Sequence, residues 1–189
     1  MSQVILNARI LYKGWLQVTE AEVRTGTGEV VRRELVERGH AVAVLPYDAG
    51  RCMGMMIRLP RPAVIQAGGE GVLLEVIAGV IEGEPPEVSV RREALEEAGV
   101  RLDRLEPVGV CFSSPGFSTE RVHLYLAPYR AADRIDAGGG APGEHEDILV
   151  EELSLAALAA MADGGQIGDM KSLALIQTLR LRRPDLFSG

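Results

Sequence analysis

Aromatic side chains are scarce, at 4% of the 189 residues, and there are only two cysteines and three histidines. The cysteines, Cys52 and Cys111, lie far apart in strand-like contexts. No disulfide framework can be built from them, and the expectation is reduced, buried thiols in a cytosolic protein. No apolar run approaches the roughly 20 residues needed to span a bilayer. The opening MSQVILNARILYKGW breaks its apolar stretch with polar residues and does not read as a secretory signal. Positive charge is also short: 20 Lys and Arg against 27 Asp and Glu leave a net charge of −7. That argues against a nucleic-acid surface, which needs a basic footprint. A small phosphorylated substrate stays compatible, because a bound metal inverts the local charge.

What is present is a globular composition, 47% hydrophobic and 25% charged. The length suits one ordinary domain, or a domain with a small appendage. Residues 1–37 hold three strand-like stretches, Val4–Ile10, Leu16–Val23 and Val30–Val36, with a hairpin turn at Gly26–Gly28. Alone they are too small to bury much, so they are expected to pack on the main domain or on a second subunit. From residue 38 the pattern changes. AVAVLPY is the apolar run of a strand covered on both faces. GMMIRLPR and VLLEVIAG read as strands separated by a Gly- and Pro-containing excursion at Pro62–Gly71. A helix is expected over Pro86–Ala98, with Pro at its start and Gly99 just past its end. Strands follow at Leu105–Phe112, Arg121–Ala127 and Ile148–Leu153, then helices at Leu155–Ala162 and Asp169–Arg182. The expectation is an α/β fold, a mixed sheet flanked by three helices.

The segment AGVIEGEPPEVSVRREALEEAGV, from Ala78 to Val100, carries the chemistry. At about 100° per residue, Glu93, Glu96 and Glu97 share one arc of the helix, and Val88, Ala94, Leu95 and Ala98 lie opposite. Like charges so spaced cost roughly 0.2–0.5 kcal/mol per pair. Folding does not ask for that cost; a hard divalent cation that prefers oxygen ligands does. Taken alone, the acids could equally be a solvated face paired with Arg91 and Arg92.

The surrounding pattern resembles the Nudix box, G-x5-E-x7-R-E-U-x-E-E-x-G-U. Gly79, Glu84, Arg92, Glu93, Ala94, Glu96, Glu97, Gly99 and Val100 fill its places, with four residues instead of five between Gly79 and Glu84. The resemblance implies an α/β/α sandwich over residues 38–189, with the box as its loop–helix–loop. It also implies that Glu93, Glu96, Glu97, the Ala78 carbonyl and Glu146 hold Mg²⁺, or Mn²⁺ in its place. Arg92 would brace the cluster through Glu96. Either Glu144 or a box glutamate such as Glu97 would act as the base.

Three segments outside the box resemble the branch of the family that cleaves nucleoside diphosphate sugars. IRLPR offers Arg58 and Arg61 to a diphosphate, for which the guanidinium fork is suited. SSPGFSTER offers Ser114, Gly116 and Glu120 to substrate. GEHEDI offers Glu144 and Glu146 on a glycine-rich approach that suits a closing loop. Without the box these would read as strand-end arginines, a Pro-Gly turn and an acidic surface loop. His145 is not counted as a ligand, and His40 and His123 read as structural. In that branch the N-terminal antiparallel sheet, here residues 1–37, serves dimerisation and base recognition. A cytoplasmic homodimer acting on a small sugar nucleotide, with neither nucleic acid nor membrane as partner, is the expectation. GDP-mannose and ADP-ribose are left equally open. Two other readings stand beside it: a non-catalytic domain that senses sugar nucleotides, and a Nudix enzyme for nucleoside triphosphates, capped RNA or isoprenoid diphosphates.

Overall fold

Side-chain alternation along two strands sets the layers of the main unit. In β4 (Ala41–Asp48) and β5 (Met53–Pro60), Val42, Val44, Met55, Ile57 and Leu59 belong to one buried cluster, together with Val90, Ala94 and Ala98 of a helix. Successive strand residues point to opposite faces, so Ala43, Leu45 and Met56 are buried on the other side. There the bare Gly54 lies under Leu155 and Leu158 of a second helix. The main unit is thus helix on sheet on helix, as expected.

The computed structural model describes residues 2–141, 143 and 147–188. Two compact units divide it. The larger spans Val42–Gly109 and His123–Gly189; the smaller runs up to Ala41 and includes Val110–Val122. A seven-stranded sheet has the order β10 (Leu149–Ser154), β5, β4, β9 (Arg121–Pro128), β8 (Glu106–Phe112). On it, β6 (Val72–Glu75) pairs with β5, and β7 (Ile77–Val80) with β4. The box helix α2 (Pro86–Ala98) follows β7; α3 (Leu155–Asp163) and α4 (Met170–Arg182) close the chain.

Within the smaller unit, β1 (Val4–Lys13), β2 (Gln17–Arg24) and β3 (Val30–Glu37) form an antiparallel sheet in that order. The predicted hairpin is there: Gly28 N–H donates to the Thr25 carbonyl at 3.0 Å. β2 buries Thr19, Ala21 and Val23, whereas every residue of β1 is exposed. The 113–120 loop is stitched to β3 by Val36 N–H to Phe117 O (2.8 Å) and Thr119 N–H to Val36 O (3.1 Å).

Three sequence expectations need correction. The Pro62–Gly71 excursion contains a short helix, α1 (Pro62–Gln66), so four α-helices are seen among the described residues. Its proline fits a first turn, but five residues are too few to show a helical period. VLLEVIAG is two strands, because Val76 N–H leaves the ladder and donates to Ser172 Oγ at 2.8 Å. The cysteines are unpaired, as expected, but not buried: Cys111 is exposed and Cys52 half-buried at the β4–β5 turn. There Cys52 has a positive φ of 52°.

That turn is held by Asp48, 6% exposed. Its carboxylate accepts the N–H groups of Gly50 (2.9 Å) and Arg51 (3.1 Å) and pairs with the Arg51 guanidinium at 2.6 Å. Arg51 reaches on to Glu152 of β10 at 2.6 Å. Asp48→Ala orphans both amides and frees Arg51, so it should cost about 1–3 kcal/mol of stability. Urea unfolding checks this; an unchanged midpoint would show that the turn holds itself.

Candidate active site

The site begins where α2 leaves and returns to β7. Glu97, on the last turn of the helix, is 3% exposed, and its carboxylate accepts the N–H of Ala78 at 3.0 Å. This turns the helix away from the orientation expected from its sequence. Val90, Ala94, Ala98 and Glu97 face inward, while Val88 is 53% and Leu95 40% exposed. The acidic arc therefore adjoins the sheet instead of opposing the core. The physical reason is a partner for the buried charge: a backbone amide on the neighbouring strand. Gly79 supplies the room, since a Cβ there would fall on the Glu93 carboxyl group.

Arg92 gathers the remaining acids. Its guanidinium donates to Glu96 at 2.9 Å, pairs with Glu93 at 3.0 Å, and meets Glu84 at 3.1 Å. The expected brace through Glu96 is present, and it is wider than one pair. The shortened loop still delivers Glu84, which also accepts from Ser89 Oγ at 2.9 Å. The Ser89 hydroxyl and then Arg92 hold the Glu84 carboxyl below its usual range.

Among the described residues no three acidic, histidine or cysteine side chains are gathered closely enough to hold a metal ion. Arg92 lies among the acids, and the Ala78 amide takes a Glu97 oxygen. The donor types fit a hard cation, which prefers oxygen ligands such as the carboxylates of Glu93, Glu96 and Glu97. The bare backbone at Gly79, against which the Glu93 carboxyl rests, fits the same use.

A second cluster centres on Glu75, 2% exposed at the end of β6. Arg61 grips it with two hydrogen bonds, 2.7 and 3.0 Å, and Lys171 Nζ also donates to it. Lys171 pairs with Asp169 at 2.9 Å. Asp169 caps α4, accepting from Ser172 N–H at 2.9 Å. Two cations are thus set side by side on one buried carboxylate. The charge of Glu97 reaches Arg61 and favours its protonated form, after the larger effect of Glu75. Sequence reading singled out Arg61 as a substrate residue but gave Lys171 no role.

The structure separates Arg58 from Arg61. Arg58 lies on β5 and pairs with Glu151 across the β5–β10 ladder at 2.6 Å, whereas Arg61 lies past the end of β5, at the start of α1. Ser114, Gly116 and Glu120 belong to the smaller unit. There the Ser114 carbonyl accepts from Phe117 and Ser118, and Glu120 N–H donates to Ser118 Oγ at 3.1 Å. Glu144 and Glu146, with His145, lie outside the described residues.

A model of the NUDIX domain matches residues 37–170. A GDP-mannose pyrophosphatase of Cronobacter sakazakii is 39% identical over 158 residues, which is 82% of this chain and 82% of that one. The GDP-mannose pyrophosphatase of Salmonella arizonae is 36% identical over 157 residues, 82% of this chain and 81% of its own. An Escherichia coli protein of the same name is 37% identical over 157 residues. The chain belongs to the Nudix family. Its fold is also that of a solved ADP compounds hydrolase, at a TM-score of 0.79 and 17% identity over 98% of this chain and 96% of that one.

Burial pushes the Glu75 carboxyl up, but Arg61 and Lys171 outweigh it and hold it below the ordinary glutamate range. The unfolded chain then binds this proton more readily than the native one. The stability it confers is complete above the unfolded value, about 4.3, and is lost as pH falls through the native value. Urea titrations from about pH 6 down to pH 3 should show a shallower acid limb for Glu75→Gln. An acid limb as steep as that of the parent would place the proton uptake elsewhere.

Proposed function

We propose that this Nudix hydrolase cleaves the pyrophosphate bond of nucleoside diphosphate sugars, GDP-mannose first among them. The products would be a nucleoside monophosphate and a sugar phosphate. One observation carries the reading: Glu93 and Glu97 are turned inward onto β7, in reach of the field of the Arg61–Glu75–Lys171 cluster. Acids for a cation and paired cations for phosphate are what a diphosphate linkage needs on its two sides. The GDP-mannose pyrophosphatases, at 36–39% identity over most of both chains, support the substrate class.

Glu93, Glu96, Glu97, the Ala78 carbonyl and Glu146 would hold Mg²⁺, with Mn²⁺ an acceptable substitute. A divalent cation there supplies neutralisation of the diphosphate and acidifies a water, by up to several pKa units. Arg61 and Lys171 bind and orient the phosphates, with Glu75 fixing both. Arg92 keeps Glu93 and Glu96 in place. Glu144, or a box glutamate, takes the proton from the attacking water; Glu144 and Glu146 rest on the resemblance alone. Ser114, Gly116 and Glu120, in the smaller unit, are proposed as substrate contacts on the resemblance alone. In that unit Arg38 stacks over the Trp15 ring at 3.9 Å, a surface suited to a base.

The exposed β1, with Val4, Ile5, Leu6, Ile10 and Leu11 all in solvent, supports assembly of two copies through the N-terminal sheet. Among the described residues no helix is long and apolar enough to cross a membrane. A cytoplasmic enzyme with small-molecule substrates and neither nucleic acid nor membrane as partner is proposed, and the acidic net charge lends support against nucleic acid.

The test is turnover with Mg²⁺ of GDP-mannose, ADP-ribose, UDP-glucose and a deoxynucleoside triphosphate. GDP-mannose should be cleaved fastest. Glu97→Gln, which keeps an oxygen for the Ala78 amide, should lose on the order of a thousandfold in kcat while folding normally. Preferential cleavage of the triphosphate would replace this reading with a triphosphatase, and binding without turnover would replace it with a sensor.

A further inference from the structure

The last turn of α2 is covered by a second piece of backbone. Gly139 N–H donates to the Glu97 carbonyl at 2.9 Å and Gly140 N–H to the Glu96 carbonyl at 3.1 Å. Ile135 and Asp136 both donate to the Gly99 carbonyl, at 2.8 and 3.2 Å, and Arg101 N–H donates to the Asp133 carbonyl at 3.0 Å. Helix ends leave carbonyls without partners; here residues 133–140 supply the donors, and they do so at the turn that carries two acids.

The contact is backbone on backbone and allows no side chain. Gly99 closes the helix at φ 64°, and a Cβ on it would strike the Asp136 carbonyl. Gly138 has φ 75°, and a Cβ there would lie 2.7 Å from the Ala98 Cα and 2.8 Å from its carbonyl carbon, besides striking the Glu97 carbonyl oxygen. The two glycines let the strands interlock. Asp136 prepares the turn, its Oδ1 accepting from Ala137 N–H at 2.6 Å and Gly138 N–H at 3.3 Å.

We propose that this seam is the positioning element for the metal-binding end of the box helix, with Gly138 its critical residue. It holds the main chain of Glu96 and Glu97 so that the Glu97 carboxylate stays on the Ala78 amide and in place for a cation. The cation part rests on the metal reading above; the positioning part does not. A helix end without such donors frays, and a carboxylate on a fraying turn pays orientation entropy each time it ligates.

The test joins amide exchange by NMR with Mn²⁺ binding by EPR, on Gly138→Ala, Asp136→Ala and Gly165→Ala. Asp136→Ala loosens the turn with no clash. Gly165 has a similar φ of 69° with open space around it, so Gly165→Ala carries the same backbone strain without the contact. In the first two variants, exchange at Ala78 should quicken together with exchange at Gly139 and Gly140. Mn²⁺ should bind about tenfold more weakly. Gly165→Ala should leave both at parental values. If Gly139 and Gly140 are freed while Ala78 keeps its protection, the seam does not hold the carboxylate and the inference falls. If Ala78 follows the seam but the parent protein binds no Mn²⁺, the positioning stands and the metal reading is what fails. Should Gly138→Ala not fold, Asp136→Ala decides by the same two readouts.

Discussion

The hydrogen bond from the Ala78 amide to the Glu97 carboxylate is the contact on which the rest of the site depends. A buried carboxylate without a partner would carry a desolvation penalty of several kcal/mol. Its partner here is main chain, which cannot swing away. That one bond fixes the rotation of α2 about its axis. With the axis set, Glu93 falls over Gly79, Arg92 over Glu84 and Glu96, and Val88 and Leu95 are left in solvent. A helix rotated to bury Val88, which lies across the helix from Val90, would expose Val90 and take Glu97 off the Ala78 amide. The Glu97 contact thus goes with the observed orientation, in which Val88 and Leu95 stay in solvent.

How much of this was legible in the sequence follows from which signals are local. Strand identities, the hairpin at Gly26–Gly28 and the start and end of α2 were readable, because Pro86, Gly28 and Gly99 act through their own backbone. The Nudix box was readable because nine typed positions recur at fixed spacing. The rotation of α2 was not. Helical periodicity says which residues share a face, but the usual rule that aliphatics lie inward failed where a backbone amide outbid them for Glu97. Lys171 was missed for a similar reason. Its relation to Arg61 passes through Glu75, 96 positions before Lys171, and only the fold joins them. The break at Val76 has the same origin, a hydroxyl of Ser172 taking the amide of a residue nearly a hundred positions earlier.

The electrostatics of the box helix run against ordinary helix design. Glu93, Glu96 and Glu97 crowd the carbonyl end, where the helix dipole already places partial negative charge, and no basic residue occupies the last turn. Each such acid is unfavourable by about 0.3–1 kcal/mol near the surface. The structure meets this in two ways. Arg92 pairs with Glu93 and Glu96 from within the helix, and the amides of Gly99, Val100, Ile135, Asp136, Gly139 and Gly140 satisfy carbonyls at that end. Neither removes the negative field; both hold its sources still.

That residual field is the functional point. The carbonyl end of α2 and the carboxylates of Glu93, Glu96 and Glu97 concentrate negative potential there, which would favour a small divalent cation. Phosphate, by contrast, would be repelled from it. At the end of β6 the Arg61–Lys171 pair shares the buried Glu75 carboxylate, and on the proposed function it would offset that repulsion. The proposed site then sets an acidic arc of α2 beside an Arg61–Glu75–Lys171–Asp169 cluster that reaches α4, built on the adjacent ends of β6 and β7. On the proposed function, a diphosphate laid across it would meet Arg61 and Lys171 on one side and the acids of α2 on the other. The opposition of charges, more than any one residue, suits this fold to breaking a P–O–P bond.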